Sequence, residues 1–111
     1  MGYFYLVWSK KTKEEKSTLV LIRNRKYDCI YNFKNLLARN EGYEFWEKDQ
    51  PKTSVDLLQS FDDHDEIFNS GELIYSIERW EDRSYVPSDS DKKDITRQIY
   101  EEMLDECNKR N

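Results

Sequence analysis

At 111 residues, with 37% hydrophobic and 37% charged positions, the chain has room for one core, and residues 1–111 are expected to form a single domain. Three Trp, eight Tyr and five Phe argue against a disordered chain, since disorder is marked by few aromatics and each such ring can bury about 150–250 Å². The formal charge of −5 runs against the basic composition usual in nucleic-acid-binding domains. It also conceals a polarity, because residues 1–40 carry nine basic against three acidic side chains and residues 41–111 carry nine against twenty.

Residues 3–8 (YFYLVW) are aromatic and β-branched and predict a strand. Residues 17–23 (STLVLIR) predict a second, with an apolar run continuous enough to be covered on both faces. Together they read as an antiparallel hairpin whose loop carries Lys10, Lys11, Lys13 and Lys16, and whose far end carries Arg23, Arg25 and Lys26. Asp28 is placed to cap a helix running to about residue 40, with Ile30, Phe33 and Leu37 at helical spacing and Gly42 where a stop belongs. Residues 43–47 (YEFWE) resemble a short strand, and residues 49–52 a turn around Pro51. Thr53 or Ser54 can cap a short helix in which Val55 and Leu58 share a face.

The carboxylates of residues 62–66 (DDHDE) predict an exposed loop, because they cannot all be buried without partners. Ile67 and Phe68 tie that loop back to the core. Residues 72–81 (ELIYSIERWE) alternate like a strand with one buried face and predict the central strand of the sheet. A last helix over about residues 91–108 is predicted from Ile95, Ile99, Met103 and Cys107 at four-residue intervals, with Leu104 broadening the stripe. The sum is an α+β fold: an antiparallel sheet of about four strands packed on one face by two long helices and one short helix.

Chemistry-bearing motifs are sparse. Cys29 and Cys107 lack metal-ligand or CxxC spacing and read as reduced thiols of a cytosolic protein. The apolar run at residues 3–8 is too short for a signal core, and no segment reaches the length of a membrane span, so a cytoplasmic protein without a membrane partner is expected. His64 is the single histidine. With no second His and no calcium-loop glycine beside it, neither a metal nor a His-based nucleophilic site is expected. The three glycines form no phosphate-binding loop. An enzyme and a cofactor are therefore not expected.

What remains is charge. Asp62, Asp63, Asp65, Glu66, Glu78, Glu81, Asp82, Asp89, Asp91 and Asp94 come from segments flanking one strand and are expected to form an acidic, partner-binding surface. Trp80, Tyr85 and Trp46 would serve as aromatic anchors within it. Glu101, Glu102, Asp105 and Glu106 form a second acidic group on the last helix, where Glu101 with Asp105 and Glu102 with Glu106 are like-charged i,i+4 pairs, each costing a few tenths of a kcal/mol. A dense carboxylate surface can occupy a cationic groove shaped for duplex DNA.

The expected function is thus a small non-catalytic antagonist, a DNA mimic acting as a monomer or weak dimer on a cationic protein such as a nuclease or other nucleic-acid-binding enzyme. In size and charge the chain resembles phage-encoded antagonists of bacterial defence, including anti-CRISPR proteins, which work in the host cytoplasm. It also resembles immunity proteins that neutralise nuclease toxins. A third possibility is an accessory protein that binds nucleic acid directly through the secondary basic patch of Lys10, Lys11, Lys13, Lys16, Arg25 and Lys26.

Overall fold

In the computed structural model, which describes residues 3–81, 93–94 and 97–109, the elements along the chain are β1 (Phe4–Lys11), β2 (Ser17–Arg23), α1 (Lys26–Glu41), β3 (Trp46–Glu47), β4 (Gln50–Pro51), α2 (Ser54–Ser60), β5 (Asp65–Asn69), β6 (Leu73–Trp80), β7 (Lys93–Asp94) and α3 (Arg97–Lys109). The fold is α+β. Four antiparallel strands stand in the order β5-β6-β1-β2, and β7 adds a two-residue parallel bridge at the β2 edge. The helices run to 16, seven and 13 residues.

The middle strand is β1, and residues 72–81 flank it instead of occupying the centre. Leu6, Val7 and Trp8 are consecutive and all at most 1% exposed. Successive strand residues point to opposite faces, so burial of all three requires cover on both sides. Helices accordingly pack on both faces, not on one. Val7, Ile77 and Tyr75 join Ile30, Phe33 and Leu37 of α1 and Leu57 of α2 in one core. Phe4, Leu6, Trp8 and Ile22 join Tyr100 and Cys107 of α3 in a second.

Two bulges decide which side chains reach which core. Opposite Val7 and Trp8 the β2 partners are Leu21 and Leu19, so Val20 is an extra residue in the ladder. The bulge reverses the alternation, which lets Leu21 enter the α1 core and Leu19 the α3 core. In β5 the register skips Ile67 between Glu66 and Phe68. Ile67 and Phe68, adjacent in sequence, therefore both pack on the α1 side. The acidic run expected to be wholly loop thus ends as an edge strand, where Asp65 and Glu66 discourage pairing with another sheet.

The strand-like residues 43–47 do not join the sheet. Trp46 and Glu47 pair with Pro51 and Gln50 in a separate two-stranded hairpin. Its two-residue turn puts Lys48 and Asp49 at φ 51° and 65°, the left-handed conformation that tight hairpin turns need.

α1 starts after Arg25, whose backbone is extended and whose side chain makes no cap. Asp28, expected as the cap, lies inside the first turn and accepts from Arg25 Nε at 2.9 Å. Gly42 ends the helix at φ 62°, with its N–H on the Ala38 carbonyl and the Tyr43 N–H on the Leu37 carbonyl. That left-handed position favours glycine.

α2 seats Ser54 and Leu57 inward, leaving Val55 at 51% exposure instead of sharing a buried face with Leu58. Its capping box is complete: the Asp56 N–H donates to Thr53 Oγ1 at 3.2 Å, and the Thr53 N–H donates to Asp56 Oδ2 at 2.9 Å. The bonds from the Thr53 N–H and hydroxyl hold the Asp56 carboxyl below its usual range. Thr53→Ala is expected to cost about 1 kcal/mol, read as a lower urea midpoint. A carboxyl depressed in the folded state contributes stability above its unfolded pKa of about 3.9 and loses it as pH falls through the folded value. The Thr53→Ala penalty should therefore shrink in acid.

α3 begins at Arg97, and its buried stripe is Tyr100, Met103, Leu104 and Cys107. Ile99, expected in that stripe, is 49% exposed; Ile95 lies outside the described residues. Both cysteines are free and buried. Burial pushes the Cys29 thiol up to about 12, and its Sγ donates to the Tyr5 carbonyl at 3.4 Å. A group raised in the folded state contributes stability that is intact below its unfolded pKa, about 8.5, and is lost as pH rises through the folded value. Stability is thus expected to decline above about pH 8.5, and Cys29→Ala to flatten that decline in urea titrations run from neutral to alkaline pH.

Candidate charged surfaces

At one end of the sheet, Arg79 of β6, Tyr5 of β1 and Arg23 of β2 form a cross-strand row, because Tyr5 is the register partner of both. The Arg79 guanidinium lies 4.2 Å from the centroid of the Tyr3 ring and donates to Asp63 Oδ2 at 2.9 Å. Lys26 Nζ meets the other oxygen of Asp63 at 3.3 Å and also donates to the Phe61 carbonyl. Asp63 is thus clamped between two cations. Burial pushes the Tyr5 phenol up, with Asp63 acting in the same direction and Arg79 against it. The Lys26, Asp63 and Arg79 side chains are only 16–32% exposed, and together the two pairs fix the α2–β5 corner against β6 and α1.

The acidic residues expected to form one surface divide as follows. Asp62 and Glu66 are exposed, Asp65 is half-buried on the edge strand, and Asp63 is engaged as described. Glu66 accepts from Asn69 Nδ2 at 3.0 Å. Glu78 lies on the opposite face of the sheet, where it is the register partner of Leu6 and accepts from Trp80 Nε1 at 3.1 Å. Glu81 is exposed just beyond β6. Asp82, Asp89 and Asp91 lie outside the described residues, as does the Asp94 side chain. The structure therefore brings Asp62, Asp63, Asp65 and Glu66 to one corner, beside Lys26 and Arg79.

Of the aromatic anchors, Trp46 is 57% exposed on the β3–β4 hairpin. Trp80 is partly buried in the α3-side core, against Phe4, Trp8 and Tyr100 at 6.1–6.2 Å between ring centroids. Tyr85 lies outside the described residues. The basic patch splits in two. Lys10, Lys11, Lys13 and Lys16 sit at the β1–β2 loop end, where Thr12 bonds the backbone of Gly71 and Glu72. Arg25 and Lys26 stand at the other end of β1, on the order of 20 Å away at about 3.3 Å per strand residue.

The densest exposed carboxylates are those of α3. With Tyr100, Met103, Leu104 and Cys107 facing the sheet, Glu101, Glu102, Asp105 and Glu106 are left on the outer face. They span about 7.5 Å of axis at about 1.5 Å per residue, or about one charge per 2 Å. Duplex DNA carries about one per 1.7 Å. Glu102 accepts from Gln98 Nε2 at 3.2 Å. Sequence periodicity alone already marked this group; its outward direction follows from the position of Tyr100, which the four-residue spacing of Ile95 and Ile99 obscured.

Among the described residues no three His, Cys, Asp or Glu side chains converge as a metal site, and His64 is exposed. Nor, among those residues, is any helix long and apolar enough to cross a membrane. No protein-family model, characterised protein or solved structure matches the chain.

Proposed function

We propose that this is a small non-catalytic protein that binds a cationic, nucleic-acid-handling protein through an acidic surface centred on the outer face of α3, with the Asp62, Glu66 and Glu81 region as a second acidic area. The observation that carries this reading is the run of four exposed carboxylates on one helix face, at a linear charge density close to that of duplex DNA. The face carries two like-charged i,i+4 pairs, and all four side chains are exposed to solvent. Charge complementarity of this kind accelerates association and is screened by salt. The biological setting that suits it is antagonism of a nuclease or similar enzyme in a host cytoplasm, as in phage anti-defence of the anti-CRISPR type. Neutralisation of a nuclease toxin by an immunity protein uses the same surface.

The experiment is affinity capture from a bacterial lysate at low and moderate salt, with the retained protein identified. A basic nucleic-acid-binding protein that elutes as salt rises supports the reading. Recovery of nucleic acid alone overturns it.

A further inference from the structure

The face of α1 turned away from the sheet differs in chemistry from the acidic α3. Tyr27 and Tyr31, one turn apart, are 40% and 48% exposed with rings stacked at 6.3 Å and 19°. Two rings held face to face in solvent present flat apolar surface that no core uses. Tyr31 also lines a polar cleft of about 340 Å³ whose walls include Arg23, Asn24, Arg25 and Asn32. On the next turn Lys34 lines a second cleft of about 240 Å³ with Asn35, Ala38, Tyr43 and Glu44. The stacked rings thus stand beside the first recess and one turn before the second, and each recess has a cation and a carboxylate at its wall. The single carboxylate in the first cleft, Asp28, is engaged by Arg25.

We propose that this outer face of α1 binds single-stranded nucleic acid. Unpaired bases stack on Tyr27 and Tyr31, while Lys34 and the Nη1 of Arg25, which its pair with Asp28 leaves over, hold the flanking phosphates. Stacking on aromatic faces with a cationic groove alongside is the general solution for unpaired strands, because every base has a π-face. A duplex hides its bases within the stack and gives such rings nothing to engage. The lysine-rich β1–β2 loop carries comparable charge but no aromatic ring between residues 9 and 16, and it stands at the far end of the sheet from Arg25. The first cleft reaches Cys107 on the inward side of α3, whereas the α3 carboxylates are on its exposed side, so variants of the two surfaces can be made separately.

The test is fluorescence anisotropy of the full chain with a labelled oligo-dT and its duplex form at low salt. The single strand is expected to bind more tightly than the duplex. Tyr27→Ala with Tyr31→Ala is expected to weaken binding at least about tenfold, and both side chains are exposed enough for the fold to persist by circular dichroism. Lys34→Glu should also weaken binding and make its salt dependence shallower by about one charge. Lys10→Glu with Lys13→Glu should leave it within about threefold, since these lysines lie outside the stacking face. The proposal is overturned by absence of oligonucleotide binding, by equal affinity in the tyrosine variant, or by preference for the duplex. Should the tyrosine variant fail to fold, an unchanged affinity in Lys34→Glu overturns it equally.

Discussion

Replacing Trp8 by alanine is expected to remove about 3–5 kcal/mol of stability, the range for deleting a buried large ring. Trp8 is 1% exposed in the middle strand and packs on Trp80 at 6.2 Å, which in turn meets Phe4 and Tyr100. The cavity would open under α3, so the layer carrying the outward carboxylates should loosen first. A domain of this size has roughly 5–15 kcal/mol in total, so the variant should melt about 15–25 °C lower, at about 5 °C per kcal/mol. Trp46→Ala serves as the comparison, because a ring more than half exposed should change stability by no more than about 0.5 kcal/mol. Similar melting temperatures for the two variants would contradict the two-core packing.

Reversing the α3 charges, Glu101→Lys, Glu102→Lys, Asp105→Lys and Glu106→Lys together, is expected to weaken binding of the captured partner by on the order of a thousandfold. Like charges opposed across an interface cost several kcal/mol, and about 1.4 kcal/mol is tenfold in Kd. The fold should survive, since Lys and Glu have similar helix propensities and each i,i+4 pair stays like-charged, with the same repulsion as before. A neutral set, Glu to Gln and Asp105 to Asn, separates binding from folding. It should leave stability within about 0.5 kcal/mol, as for other exposed substitutions, while still weakening the complex. Loss of both stability and binding in the neutral set would mean that the carboxylates serve the fold.

The elements that could be read from sequence are β1 and β2, by their apolar and β-branched runs, and β6 and the helix ended by Gly42, by their period. What escaped has identifiable physical causes. The strand β5 was hidden because its bulge places Ile67 and Phe68 on one side, which breaks the two-residue alternation that marks a strand. The placement of helices on both faces was implicit in the uninterrupted burial of Leu6, Val7 and Trp8, but an aromatic-rich strand looks the same whether one or two layers cover it. On α3, Ile99 and Tyr100 compete for the inward direction. Tyr100 wins because it is in register with Met103, Leu104 and Cys107. For the charged surfaces, sequence proximity identified the carboxylates but not their partners. Lys26 and Arg79 come from elements distant in the chain and meet at Asp63 only after the sheet has formed.

The most direct measurement is competition between this protein and duplex DNA for the captured cationic partner, followed by fluorescence anisotropy of labelled DNA as the protein is added. If the α3 carboxylates occupy the groove that holds nucleic acid, wild-type protein displaces the duplex completely, salt weakens the displacement, and the charge-reversed α3 variant leaves the duplex bound. A stable ternary complex, or equal displacement by the charge-reversed variant, would contradict that role for α3.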